Sequence, residues 1–458
     1  MKRDFVLPLL TLAHFCVDGV CGAALAAYAF NEPYLEPIVY YFGLYNLIAF
    51  GGQWCAGWLF DERPRTILPA LFFAAVFLAV GLVSSLPVWL WVAALGVGNC
   101  VFHAAAGGLV LRRYENFGPP GIFVSSGAVG LGLGLGGFCP AWIFYVLYVA
   151  AAIFVAVKRR NVVDEDFRAY AGETIPLPTG KVFVCAAALL LCVVLRGFGG
   201  GGVSDAPALL FPCVFALGKA AGGVLCDRIG YSKTILAIFL LGFFALQGEG
   251  LIFALLLAFA FNLTMPLTLR LLHRCAPARP GLMFGLAAGC LLPGAFYPGA
   301  VFVPASAMIV LQFMCLWLAG LVLGRGGGRT MTIPVVSETA FSLAGGVFSE
   351  PWLLDAALAT AVIEMPFFWL CGYRRAAEWL WFVAANIVSN LLLNEFLAET
   401  PWTFPYAAAV LLGEIFVVFL EYALCGYAMR EKGGKRLFRV LILTNAVSFL
   451  TGVIYFLF

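Results

Sequence analysis

His14 and Asp18 stand four residues apart in an apolar run near the amino terminus. On an α-helix that spacing puts both side chains on one face. Histidine titrates near neutrality, and a carboxylate kept from water beside such a base can take up and release a proton. Asn99 and His103 repeat the spacing in another apolar run, and Arg196 and Lys219 sit inside two more. A charged group in the middle of a membrane helix costs about 2.5–3.5 kcal/mol on insertion scales and marks a functional position by default. Arg196 could hold an anionic substrate group or pair with Asp18. Lys219, near the end of its run, reads as a side chain reaching for the membrane surface. Asn262 occupies the place in the second half that Asn99 has in the first, and Pro266 after it lacks the N–H that would tie a carbonyl of its own helix. His14, Asp18, Asn99, His103, Arg196 and Asn262 are therefore the candidate substrate and proton-coupling set.

Near the carboxyl terminus, polar residues recur at helical spacing. Glu364 precedes Pro366, Asn386 and Asn390 are four apart, and Glu414 and Glu421 are seven apart. Each spacing keeps its pair on one helix face. The simplest reading is a polar cluster bonded within a small bundle; the alternative is a second ion site. No Ser/His/Asp nucleophile set, metal-ligand cluster or phosphate-cradling loop is present in the pattern. The chain is read as a non-enzyme with no cofactor and no metal.

The elements that position these residues are membrane helices. Of 458 residues, 63% are hydrophobic and 11% charged, against roughly 25% charged in soluble domains. The net charge of +3 is too small for a nucleic-acid surface. Twelve apolar runs lie before residue 329, at about 5–29, 37–60, 66–84, 87–111, 120–138, 140–157, 182–200, 207–226, 234–247, 250–269, 281–297 and 304–324. The amino terminus and the segments after even-numbered runs carry Lys and Arg; the segments after odd-numbered runs up to the eleventh carry none. Lys and Arg stay on the cytoplasmic side, so the amino terminus is read as cytoplasmic and the chain as a multi-pass protein of the cell membrane. The polar stretch 158–181 divides the runs into halves, 1–157 and 182–328. A tail, 329–458, adds four runs at about 352–371, 377–395, 404–428 and 438–458. An extra crossing or re-entrant segment at 331–349 would bring the tail's basic residues to the cytoplasm.

The halves repeat a motif. Gly52, Gly57, Leu59 and Asp61 match Gly218, Gly223, Leu225 and Asp227 at one offset of 166. Gly57-Trp58-Leu59-Phe60-Asp61, with Arg63 and Arg65, resembles the G-x-L-x-D-R-x-G-R-K signature of the major facilitator superfamily. Gly223-Val224-Leu225-Cys226-Asp227-Arg228-Ile229-Gly230, with Lys233, is the closer copy. Pro64 stands where the family has Gly. The resemblance covers about residues 1–328 and implies an all-α fold of two six-helix halves (6+6). Gly57, Asp61, Gly223, Asp227 and Arg228 would form its conformational gate. His14-x-x-x-Asp18 and Gly96-x-Gly98-x-x-x-Phe102-His103 resemble the fosmidomycin-resistance type within the family, although Ala104 stands where that type often has Pro.

The resemblance implies a secondary active transporter, with proton-coupled export of a small organic molecule as the leading reading. The glycine-rich run from Gly127 to Gly137 favours export, because the family's antiporters often carry one. Partners would be a small-molecule substrate, protons and the bilayer, with a protein partner for 330–458 a further possibility. The alternative is a non-transporting sensor or scaffold whose tail recruits that partner. A cysteine placed in 158–181 should react with an impermeant maleimide only after the membrane is permeabilised; labelling in intact cells would overturn the two-half topology.

Overall fold

Lipid offers no hydrogen-bond partners, so each spanning segment must satisfy its own backbone, and a helix does so within one segment. A computed structural model of the chain describes residues 5–83, 85–157, 179–199, 207–296, 305–323, 360–361, 363–368, 371–373, 376–399, 405–428 and 435–457. Every regular element among them is helical. The chain is an all-α, polytopic membrane protein. It divides into two compact units, Met1–Thr330 and Met331–Phe458. The stretch 331–349 and nearly all of 158–181 lie outside the described residues.

In the first unit, α1 (Val6–Asn31), α2 (Leu35–Ala49), α3 (Gln53–Glu62), α4 (Ile67–Gly81), α5 (Val88–Arg113), α6 (Gly118–Leu135) and α7 (Ala141–Val157) precede the polar stretch. After it come α8 (Thr179–Phe198), α9 (Leu210–Ile229), α10 (Tyr231–Ala245), α11 (Leu251–Cys275), α12 (Pro280–Gly289), α13 (Leu292–Phe296) and α14 (Ala305–Leu323). Five of these, α1, α5, α6, α9 and α11, are each long and apolar enough to cross a membrane alone. Two runs read as single crossings are broken. The run 37–60 divides into α2 and α3 around Phe50–Gly52, and 281–297 divides into α12 and α13 around Cys290 and Leu291. The two broken segments face each other, α3 against α12 and α2 against α13.

Helix α6 is the hinge of the packing, lying between α1 and α9. Its glycines allow this. A Cβ added at Gly130 would strike the Phe15 carbonyl of α1, one at Gly134 would strike the Gly19 carbonyl, and one at Gly132 would meet Pro212 of α9. Small residues let helix backbones approach closely where lipid supplies no hydrophobic drive. The glycine run thus has a packing role on both sides of α6.

In the second unit, α15 (Ala376–Glu399), α16 (Pro405–Ala428) and α17 (Lys435–Leu457) pack in sequence order, α15 on α16 and α16 on α17. Phe368 stacks on Phe382 with ring centroids 4.0 Å apart and on Tyr373 at 4.4 Å. Arg436, opening α17, donates to the Cys371 carbonyl at 2.7 Å, just before α15.

Gly130→Leu should destabilise the first unit by about 1–3 kcal/mol or more through overpacking, read as a lower aggregation temperature in detergent. Ile153→Leu, on an exposed part of α7, should leave that temperature unchanged. Equal temperatures for the two variants would contradict the close packing of α6 on α1.

Candidate functional site

The site begins in the middle of α1. His14 is buried, and Asp18 lies one turn on with a side chain 16% exposed. Where α5 crosses α1, it brings in Asn99 and His103, both buried. Each histidine is fixed by a main-chain carbonyl: His14 Nδ1 lies 2.7 Å from Phe123 O, and His103 Nδ1 lies 2.9 Å from Asn99 O. A carbonyl only accepts, so each Nδ1 carries the hydrogen. In a neutral imidazole the other nitrogen then offers a lone pair alone. Those two Nε2 atoms face each other at 2.8 Å. Asp18 Oδ2 lies 3.2 Å from the first and Oδ1 3.5 Å from the second. Three acceptors therefore converge with no hydrogen between them. The arrangement is stable when it shares an added proton, which makes one ring an imidazolium balanced by Asp18.

Two further contacts shape this triad. Asn99 Nδ2 donates to Asp18 Oδ1 at 3.0 Å, while Asn99 Oδ1 is buried without a partner. Gly127 of α6 lies over the cluster, where an added Cβ would strike Asp18 Oδ2 and His14 Nε2.

The second half contributes separately. Arg196, 5% exposed on α8, donates from Nη1 to Thr268 Oγ1 of α11 at 3.2 Å, and its Nη2 is buried without a partner. The possible Arg196–Asp18 pair is not formed. Lys219 is half-buried on α9 rather than at the surface, within electrostatic reach of both Arg196 and Asp18. Asn262 is buried beside Gly218 and donates to the Ala258 carbonyl of its own helix at 2.8 Å, so it does not join the triad. Helix α11 runs unbroken through Pro266.

The repeated motif builds two matching latches between the halves. Asp61 accepts from the N–H groups of Gly281 and Leu282, at 3.0 and 2.8 Å, at the start of α12. Asp227 accepts from those of Phe117 and Gly118, at 2.8 and 2.7 Å, at the start of α6. A helix start offers unsatisfied N–H groups and partial positive charge, and a carboxylate answers both. The motif glycines make the approach possible. A Cβ on Gly57 would strike the Gly281 carbonyl, and one on Gly223 the Phe117 carbonyl. Pro64 and Gly230 are also equivalent by the offset of 166. Gly230 has φ 88° and joins α9 directly to α10, whereas Pro64, confined to negative φ, opens a 3-10 turn, Pro64–Thr66. Arg228 is exposed and makes none of the latch contacts.

Sequence reasoning missed Arg270, which was counted with a cytoplasmic loop. It lies in α11, 2% exposed, and reaches across to the first half, donating to the carbonyls of Leu111 at 3.0 Å and Asn116 at 3.3 Å. The signal available was its continuation of the α11 apolar pattern through Leu271 and Leu272. Arg112 adds to the first latch, 3.2 Å from Asp61.

In the second unit the polar residues form one network. Asn386 Nδ2 donates to Glu364 at 2.8 Å and Glu421 at 3.2 Å; Ser448 donates to Glu364 at 2.5 Å; Ser389 and Asn445 donate to Glu421 at 2.8 and 2.7 Å. Asn390 donates to the Asn386 side chain at 3.2 Å. Glu414 is half-buried and makes none of these bonds.

No protein-family model matches the chain, and no curated protein does. Among solved structures, a bacterial homologue of the iron transporter ferroportin, outward-facing with soaked iron, aligns over 70% of this chain and 99% of its own, with 13% identity and a TM-score of 0.45. The E. coli fucose:proton symporter FucP aligns over 71% of this chain and 100% of its own, with 13% identity and a TM-score of 0.42. At that distance neither name transfers, and function must come from this chain's own residues.

The latches predict a conformational effect. Hydrogen bonds to a charged group are worth about 1.5–3 kcal/mol, and about 1.4 kcal/mol is tenfold in an equilibrium. Cys226, 4% exposed beside Asp227, should be alkylated about tenfold faster in Asp61→Ala as well as in Asp227→Ala, mapped by mass spectrometry. Unchanged labelling in Asp61→Ala would mean that the two latches do not act on one closure.

Proposed function

We propose that the chain is a secondary active transporter of the major facilitator kind, moving a small organic molecule by alternating access and coupling it to protons. The observation that carries this is the convergence of three acceptors, His14 Nε2, His103 Nε2 and Asp18, in the middle of α1, an arrangement suited to holding one added proton. A proton carrier must meet each side of the membrane in turn, and inverted or repeated halves that rock about a midplane site provide this. The paired latches support the reading, since each ties one half to the other by a bond that can be broken as a unit. The glycine-rich fifth crossing, which the resemblance ties to export, has a packing role in part: Gly130 and Gly134 lie against α1 and Gly132 against α9. The tail is proposed as a self-contained module held by its Glu364–Asn386–Glu421 network.

Asp18→Asn should abolish accumulation driven by a proton gradient in proteoliposomes while retaining exchange, which needs no net proton movement. His14→Ala should shift the pH optimum more than it lowers the maximal rate. Full gradient-driven accumulation by Asp18→Asn would remove the triad from the mechanism. Strong stabilisation by Zn²⁺ together with pH-independent transport would instead make the triad a metal site.

A further inference from the structure

We propose that Arg196 and Lys219 form an anion site facing the proton triad, and that the transporter carries a small organic acid anion together with a proton. This rests on the transporter reading above and names its substrate class and coupling.

Arg196 supplies the first observation. Its guanidinium is buried on α8, Thr268 takes one donor, and Nη2 has no partner. No carboxylate among the described residues pairs with it. A buried charge without a counter-charge is strongly unfavourable, so a site that keeps one is built for a ligand that supplies the charge. The planar fork of a guanidinium matches the two oxygens of a carboxylate.

Lys219 supplies the second. Its main-chain carbonyl packs on Gly121 of α6, and Gly127 of the same helix packs on Asp18 and His14. Six residues of helix span about 9 Å, a distance that a lysine side chain can largely bridge. Lys219 accordingly interacts electrostatically with Asp18 and His103 on one side and Arg196 on the other. Gly121 also meets Pro266, two residues before the Thr268 that Arg196 bonds, so the Lys219 backbone and the guanidinium are both anchored to this stretch of α11.

Charge bookkeeping then decides the substrate's sign. The groups facing Asp18 are His14 and Cys21 on α1, His103 on α5, Tyr45 on α2 and Lys219 on α9; α4 and α6 have no titratable residues, and Tyr148 of α7 is bonded to the Leu71 carbonyl. Asp18 is engaged by both histidines and Asn99. Asp18 faces Lys219, and Arg196 has no carboxylate of its own among the described residues, so one carboxylate stands against two fixed cations and the balance is positive.

The same geometry sets the coupling. With the triad unprotonated, the Asp18 charge partly neutralises Lys219. Adding the proton cancels that charge and leaves Lys219 free for an anion. Linkage is reciprocal, so a bound anion must favour the proton equally. Proton and anion load together, which is symport.

The test uses the full chain in nanodiscs with lactate, tartrate, gluconate and benzoate, whose charges are nearly constant between about pH 6 and pH 8, beside choline and sorbitol. At least one anion should raise the melting temperature, bind about threefold or more tighter at the lower pH, and draw protons from a weakly buffered dye solution. Arg196→Gln and Lys219→Gln should each weaken binding about tenfold, Arg196→Lys less, and Asp18→Asn should bind with no pH dependence. Stabilisation by choline or sorbitol alone, or by no probe, overturns the proposal. So does proton release on anion binding, or unchanged affinity in a normally melting Arg196→Gln. If that variant does not fold, wild-type proton uptake decides alone. Anion binding without gradient-driven flux would leave the site standing and remove the transporter reading; flux of a neutral or cationic solute would do the reverse.

Discussion

A carboxylate that takes two main-chain N–H groups from the first turn of a helix in the other half is the interaction on which the first unit depends. Lipid gives helices no hydrophobic reason to associate, so close packing and polar ties must hold them. Asp61 on α12 and Asp227 on α6 supply such ties at two equivalent places. Each needs its glycine, because the carboxylate reaches the N–H groups only where the backbones touch. The second latch also fixes α6 along α9. That sets the height at which α6 crosses α1, and so the placement of Gly127 over His14 and Asp18.

The ends of the halves match while their middles differ. The latches obey one offset of 166, down to Pro64 and Gly230. In the membrane interior the correspondence stops. Asn99 turns its amide to Asp18, whereas Asn262 turns back to its own helix. The first half concentrates bases around a carboxylate, and the second holds a guanidinium and an ammonium with no carboxylate paired to either among the described residues. The ties between the halves are thus symmetric, while the polar groups between them are not.

What could be read beforehand was whatever lay within one helix or repeated along the chain. His14 and Asp18 share a face by spacing alone. Gly57, Asp61, Gly223 and Asp227 announced themselves by recurring at equal intervals. The convergence of His103 on His14 could not be read, because it depends on how α5 crosses α1 rather than on any local pattern. The breaks at Phe50–Gly52 and Cys290–Leu291 were hidden for a related reason. Apolar residues continue through both turns, and hydropathy records no change when the backbone does. Arg270 misled for the opposite reason, since a basic residue near a run's end is read as solvated, and only the arrival of the Leu111 and Asn116 carbonyls buries it.

The tail shows how differently buried acids can be treated. Glu364 and Glu421 have no exposed surface, yet the donors that reach them are amides and hydroxyls of Asn386, Ser389, Asn445 and Ser448. Neutral donors leave the summed charge of a carboxylate pair uncompensated, and one amide, Asn386, bridges both. Such a network is favourable in an apolar interior only when nearly every donor and acceptor is matched. Matching of this kind fixes which faces of α15, α16 and α17 meet, because a helix turned by one residue would strand several of these groups at once. At the centre of the first unit polar groups are instead left unmatched: an Asn99 oxygen, a guanidinium nitrogen and three acceptors that meet one another. Polar groups that complete one another hold a bundle in register. Polar groups left incomplete in a buried place are costly, and that difference separates the two units: the second matches its buried donors and acceptors, and the first leaves several open at its centre.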